Sequence, residues 1–377
     1  LASLKPNAIV FSNGDNDTFP LWYNQEVEGQ RTDVRVCNLS YLQTDWYIDQ
    51  MKRGAYESAP LPISWKAKDY VTGKNEVMWV EDMVKEPIDM QTAFDFLLSD
   101  DPATKMNGES FIPSSKLFLP VDANQVIKSG TLAPERAGEI VPQINVELKR
   151  RITKSEIMIL EMLKTNNWKR PIYFAVTVGD DYYLGLNDHF ELTGLAYQIL
   201  PIGAKGAGSG VNTKEMYDNM INKFRYGNIQ DPKVYLDENT LRMCRTHRMM
   251  FSQLASALYN EGDSVKALKT LDFAEKMIPG NTVRHDYVST MLAETYYKLG
   301  ESQKGDAIME AVAKDCVEYL EWYYTLTVAQ RNSVNNRIGH NLAVLNQILR
   351  ICDQEKQKNI LDKYLPVYMK YTKNVEL

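Results

Sequence analysis

The feature that most limits how this chain can fold is a register that occurs twice in its C-terminal third. Leu254, Ala255, Leu258, Gly262, Ala267, Leu271 and Ala274 are answered 38 residues later by Leu292, Ala293, Tyr296, Gly300, Gly305, Met309 and Val312. Small residues at these places let paired helices approach closely, and the glycines turn the chain between them. This is the tetratricopeptide pattern, whose usual period is about 34 residues. The four or so extra residues fall in the connection around Thr282 to Asp286. Pro279 closes the first copy; the second lacks a closing proline and carries Gly305 where the pattern prefers alanine. Further helices are predicted from about Val317, Val334 and Gln354, completing and capping the stack. Arrays of this kind have concave surfaces that take peptides or partner proteins, and the other reading of so short an array is a dimerisation or structural spacer.

At 377 residues the chain exceeds one compact core,. We divide it at 1–225 and 226–377. The apolar run Asn7 to Phe11 reads as a strand, and Thr18 to Glu28 as a helix with Phe19, Trp22, Tyr23 and Val27 at helical spacing and Pro20 near its first turn,. Asp33 to Leu39 is a second strand, and such a β-loop-α-β unit favours a parallel pair. Further strands are expected at Glu76–Val80, Lys116–Val121, Gln143–Leu148 and Pro171–Val176, with Gly194–Ile202 the last of the domain. Helices are expected from Thr44, at Gln91–Leu98, at Thr213–Phe224 and at Lys154–Thr165, the last with Ile157, Leu160 and Leu163 on one side. The fold expected is a Rossmann-like three-layer α/β domain with a mainly parallel sheet, followed by an all-α tetratricopeptide-like domain. Gly203 to Gly210 reads as a flexible loop; it lacks the endings and spacing of a phosphate-binding loop,.

Charge argues against nucleic acid as a partner. Lys and Arg number 43 against 49 Asp and Glu, for a net charge of -6, and the longest basic cluster is Lys149-Arg150-Arg151,. The four cysteines, Cys37, Cys244, Cys316 and Cys352, show no metal or redox spacing and read as buried thiols,. No run of eighteen apolar residues and no signal-peptide pattern occurs, so no span is expected within the chain itself.

The best site candidate is Asn13-Gly14-Asp15-Asn16-Asp17, where a parallel strand hands over to a helix,. Two readings stand. Asp15 and Asp17, spaced D-x-D, are hard oxygen ligands of the kind that hold a divalent cation against a diphosphate, and such a cation is the one cofactor the sequence suggests. Alternatively Asn13, Asp15 and Asp17 make Asx-turns and cap the helix, their charge near its positive end. Asp180 and Asp181 follow a predicted strand and are placed toward the same edge. Trp22, Trp46 and Tyr47 are candidate stacking surfaces for sugars or peptides. Nucleophilic catalysis has little support: there are four histidines, no G-x-S-x-G elbow and no H-E-x-x-H pair,.

The stretch from Asn13 to Met51, with WKRPIYFAV, GLAYQILPI and the helical repeats, resembles the soluble C-terminal region of a bacterial family of multi-pass membrane proteins of unknown function. The eukaryotic relatives of that family are luminal protein O-mannosyltransferases of the GT-C type. The resemblance implies a module on the periplasmic or extracytoplasmic face, attached to the membrane through a preceding N-terminal region, with that membrane-embedded part as one partner and a protein acceptor as another. It also implies that catalysis lies outside this segment. A self-contained metal-dependent sugar-transferring enzyme using Asp15 and Asp17 is the alternative, and a structural adaptor acting through the helical repeats is a third.

Overall fold

A computed structural model describes residues 1–203 and 210–372. The chain forms two compact units, Leu1–Met216 and Tyr217–Leu377. The first is α/β and the second is helical throughout.

The first unit is built on a six-stranded sheet. Strand β1 (Ile9–Ser12) lies parallel to β2 (Arg35–Asn38) on one side and to the strand Ile172–Ala175 on the other. Beyond Ile172–Ala175 come Ala196–Ile199 and Phe190–Leu192, joined antiparallel, and the short edge strand Gly210–Val211. Three of the five pairings are thus parallel. The run Ile9-Val10-Phe11 is apolar throughout because both faces of the sheet are covered. Ile9, Phe11, Cys37 and Phe174 face one core, with Ile157 to Leu163 of the helix Lys154–Asn166. Val10, Val34, Val36 and Tyr173 face the other, against Leu21 and Trp22 of helix α1 (Asp15–Glu26). Crossover segments on opposite faces make the carboxyl ends of β1 and Ile172–Ala175 a switch point of the sheet. Smaller sheets hold the remaining predicted strands, including Val77–Val80, Lys116–Pro120 and Gln143–Glu147.

Three expectations need correction here. The Lys154–Asn166 helix is not amphipathic: Lys154 to Leu163 are all buried. Its charged members are paired: Lys154 Nζ meets Glu76 at 2.7 Å, and Glu161 accepts from the amide and the hydroxyl of Ser64 through one oxygen while the other lies 3.3 Å from Lys164 Nζ. Gly194–Ile202 does not end the sheet, because Gly210, read as loop, begins the edge strand; residues 204 to 209 of that loop lie outside the described residues. The predicted helix Thr213–Phe224 is an α-helix only over Thr213–Tyr217 and continues as a π-helix over Asp218–Lys223.

The second unit pairs Glu238–Asn260 with Ser264–Met277, then Ser289–Lys298 with Ser302–Thr325, and ends with Asn335–Gln354 and Lys358–Thr372. The doubled register lies inside: Leu254, Ala255, Ala267, Leu271, Leu292, Ala293 and Met309 are fully buried. No separate helix begins near Val317. With no proline at the end of the second copy, its helix runs on unbroken from Ser302 to Thr325,. Gly305 has a packing reason, because a Cβ there would stand 2.4 Å from the ring of Tyr297.

Candidate functional site

At the carboxyl edge of β1 the chain turns through Gly14, whose φ of 76° suits glycine alone, directly into α1,. The helix begins at Asp15, so Asp15 and Asp17 lie within its first turn, where carboxylates meet the positive helix end,. The cap residue itself is Gly14, which offers no side chain. Asn13 turns outward instead and accepts a hydrogen bond from the Ser40 hydroxyl at 2.7 Å. Pro20 falls inside the helix rather than near its start, and without an N–H it leaves the carbonyl of exposed Asn16 with no helical donor,.

The side of α1 expected to be its apolar face does not pack inward. Its buried residues are Thr18 and Gln25, whereas Phe19, Tyr23 and Val27 are 46%, 54% and 65% exposed. Thr18 anchors the helix through a buried network: its hydroxyl meets Ser12 Oγ at 2.8 Å and accepts from Asn38 Nδ2 at 2.8 Å. Gln25 donates to the carbonyls of Arg31 and Val34. The polar groups therefore anchor the helix together with Leu21 and Trp22, while Phe19 and Tyr23 are left at the surface.

Those aromatics form a row. Phe19 stacks on Trp22 with ring centres 5.7 Å apart, and Trp22 stacks on Tyr41 at 6.2 Å. Tyr41 meets Trp46 at 6.0 Å and Tyr47 at 5.7 Å, while Trp46 and Tyr47 lie edge to face at 5.5 Å. Trp46 and Tyr47 belong to helix α2 (Asp45–Met51). They divide the work. Tyr47 is buried, its oxygen accepts the Asn38 amide N–H at 2.9 Å, and burial pushes its phenol well above the usual tyrosine range. Trp46 is 55% exposed. Carboxylates border the row: Tyr41 donates to Asp15 at 3.4 Å, and Asp45 is held below the usual carboxylate range by the amide and hydroxyl of Thr72.

The structure thus joins Asn13, Asp15, Trp22, Trp46 and Tyr47 through two residues the sequence reading passed over, Ser40 and Tyr41. Both lie just after β2, between the predicted strand that ends at Leu39 and the predicted helix from Thr44. Asp181 is engaged elsewhere, in an ion pair with Lys149 at 2.7 Å, and Asp180 sits beside it. Among the described residues no group of three or more His, Cys, Asp or Glu side chains is placed to hold a metal ion. All four cysteines are free and buried, and burial raises the Cys37 thiol to about 12.

The helical unit has a groove of its own, about 420 Å³, walled by Arg245, Arg284, Tyr319, Tyr323, Arg337 and His340 among others. Arg245 pairs with Asp286 at 3.1 Å and Arg284 with Asp315 at 3.8 Å. Part of one wall is the lengthened connection between the two copies of the register.

Residues 1–219 match the profile of a protein family described as TMEM260-associated domain 2. No curated protein and no solved structure matches the chain. Among the described residues, no helix is long and apolar enough to cross a membrane.

Proposed function

The chain belongs to the TMEM260-associated domain 2 family, and from that premise we propose that it is the extracytoplasmic binding and positioning module of a membrane-bound, protein O-mannosyltransferase-like protein. Its role is to seat a protein acceptor. The observation that carries this reading is the aromatic row at the carboxyl edge of the sheet. Rings left at a surface cost solvation unless something covers them, and patches of this kind mark binding surfaces. Their neighbours narrow the choice of ligand. Asp15, Asp45 and the Asn16 carbonyl are hydrogen-bond acceptors, so they suit a ligand rich in hydroxyl donors and repel an anionic one. An apolar ring face edged by acceptors is complementary to a sugar ring or to a serine- and threonine-rich segment. The family description, which names a transmembrane protein, and the resemblance of Asn13 to Met51 to the mannosyltransferase-related family support the membrane setting. The tetratricopeptide-like groove of the second unit gives a further peptide-binding surface.

The test is a tryptophan-fluorescence titration of the chain with a serine- and threonine-rich peptide and with its O-mannosylated form. Saturable quenching by at least one, weakened tenfold or more in Trp46→Ala, is the expected result. The absence of quenching by both peptides sinks the proposal.

A further inference from the structure

Beside the aromatic row, on the other side of Trp22, lies a cavity of about 380 Å³ that the reading above does not use. It opens along the free edge of β2, and Trp22, Arg35, Gln50, Arg53 and Tyr56 line it. Arg35 sits on the edge strand itself and is only 6% exposed. Among the described residues no ion pair to a carboxylate accounts for it. Its Nη2 donates to the Gln50 carbonyl at 2.9 Å, and its Nε is buried with no hydrogen-bond partner among the described residues. Burial and the nearby Arg35 both lower the proton affinity of a second guanidinium, that of Arg170, whose own bonds run to the carbonyls of Asn7, Ala59 and Pro60 and to the Ser58 hydroxyl.

A buried guanidinium without a counter-charge is costly, because its lost hydration is not repaid by an opposite charge. The carbonyl end of α2 offsets only part of this, since a helix end carries roughly half a charge. Arg53 adds a second cation at the exposed mouth. The one carboxylate on the lining, Glu26, is occupied by the hydroxyl of Tyr56.

We propose that this cavity is an oxyanion site in which Arg35 and Arg53 grip the phosphate of a phosphorylated small molecule. A planar guanidinium with an unused Nε–H matches two phosphate oxygens at once. The volume exceeds that of a bare phosphate and reaches the size of small-molecule sites, so the natural ligand is a phosphate ester whose organic part lies along Trp22. This proposal does not rest on the acceptor-binding role of the aromatic row.

The experiment is calorimetry and thermal unfolding of the chain with phosphate, pyrophosphate and a hexose 1-phosphate, against acetate at equal ionic strength. Vesicles carrying phosphatidic acid form a separate arm that distinguishes a lipid headgroup from a free ester. Saturable binding of a phosphate compound, absent with acetate, is expected. Arg35→Gln should weaken it tenfold or more and Arg53→Gln several-fold. Because Arg53 is exposed, its variant reports on the site even if loss of Arg35 prevents folding. Trp46→Ala should leave phosphate affinity unchanged, which separates this site from the aromatic row. No binding of any phosphate compound, equal binding of acetate, or unaltered affinity in Arg53→Gln together with Arg35→Gln would overturn the assignment.

Discussion

Asn38 donates its side-chain amide to the Thr18 hydroxyl at 2.8 Å, and through that bond the end of β2 holds the first turns of α1 in place beneath the aromatic row. The same residue gives its backbone N–H to Tyr47 and accepts the N–H of Tyr41. One fully buried residue thus fixes three of the elements that set the row, two of them through its side chain. Replacing Asn38 with leucine removes the partners of the Thr18 hydroxyl and the Tyr41 N–H in a dry place, so unfolding free energy in urea should fall by roughly 2–4 kcal/mol. Thr18→Val, which removes one hydroxyl at constant shape, should cost about 1–2 kcal/mol. Equal stability of Asn38→Leu and wild type would show that the network is ornamental.

Trp46 sits on the same scaffold but contributes little to it. Being half exposed, it should be replaceable by alanine with less than about 1 kcal/mol lost, while the fluorescence response to peptide disappears. A melting temperature that falls along with binding would place Trp46 in the core instead of at a surface.

Gly305 offers a test with an unusual sign. In an ordinary helix, glycine to alanine is favourable by about 1 kcal/mol. Here the new methyl collides with the ring of Tyr297, which is itself buried and donates to Asp306 at 2.9 Å. Gly305→Ala should therefore destabilise the helical unit by roughly 1–3 kcal/mol. Most of that loss should be relieved when Tyr297→Leu is added, as read by a double-mutant cycle in urea.

Arg248 is fully buried, and its guanidinium donates to the carbonyls of Ile278, Val283 and Arg284. Arg248→Met keeps the bulk and removes every donor. The expected loss is about 3–5 kcal/mol, with hydrogen exchange faster at residues 279–288 than elsewhere in the unit. Uniform exchange across the unit would contradict a local clamp.

Acid should weaken the fold through two histidines. His189 donates from Nδ1 to the Ile202 carbonyl and His247 to the Met243 carbonyl, both at 2.8 Å. Burial, only partly opposed by those hydrogen bonds, lowers the affinity of each for a proton. The unfolded chain, with histidine near pH 6.5, therefore takes up protons first. Stability is flat above about pH 6.5 and falls as the pH drops below it. Urea midpoints at pH 7.5 and 5.5 should differ less for the double variant His189→Asn/His247→Asn than for wild type, and identical differences would refute the assignment.

Much of the architecture was legible because it rests on periodicity. β1 and Ile172–Ala175 appear as uninterrupted apolar runs, β2 as Val34, Val36, Cys37 and Leu39 around Arg35 and Asn38, and the helical unit as a repeated register of small residues. The candidate site was legible only as a collection of types. Asn13, Asp15, Trp22, Trp46 and Tyr47 stood out, but what joins them is Ser40 and Tyr41 at the start of a 3₁₀ turn held by Asn38, whose bond to Thr18 twenty residues away no local pattern encodes. The face of α1 was misjudged for a related reason. Apolar spacing at Phe19, Trp22, Tyr23 and Val27 suggests a buried stripe, yet Thr18 and Gln25 find partners at the strand ends and in the loop before β2 and turn Phe19, Tyr23 and Val27 outward. Arg35 gave no signal, because one arginine in a strand becomes unusual only when it proves to be buried with no ion pair among the described residues.

The lengthened connection between the helical copies has a consequence for how such a protein can diversify. Residues 284 to 287 form part of the groove wall while standing outside the helix-to-helix ladder, and Arg248 secures the start of the segment by main-chain carbonyls. The side chains of Arg284, His285 and Asp286 are tied to Asp315, Glu275 and Arg245. The half-exposed Tyr287 is the position of this wall open to exchange for new groove chemistry while the framework that carries it stays the same.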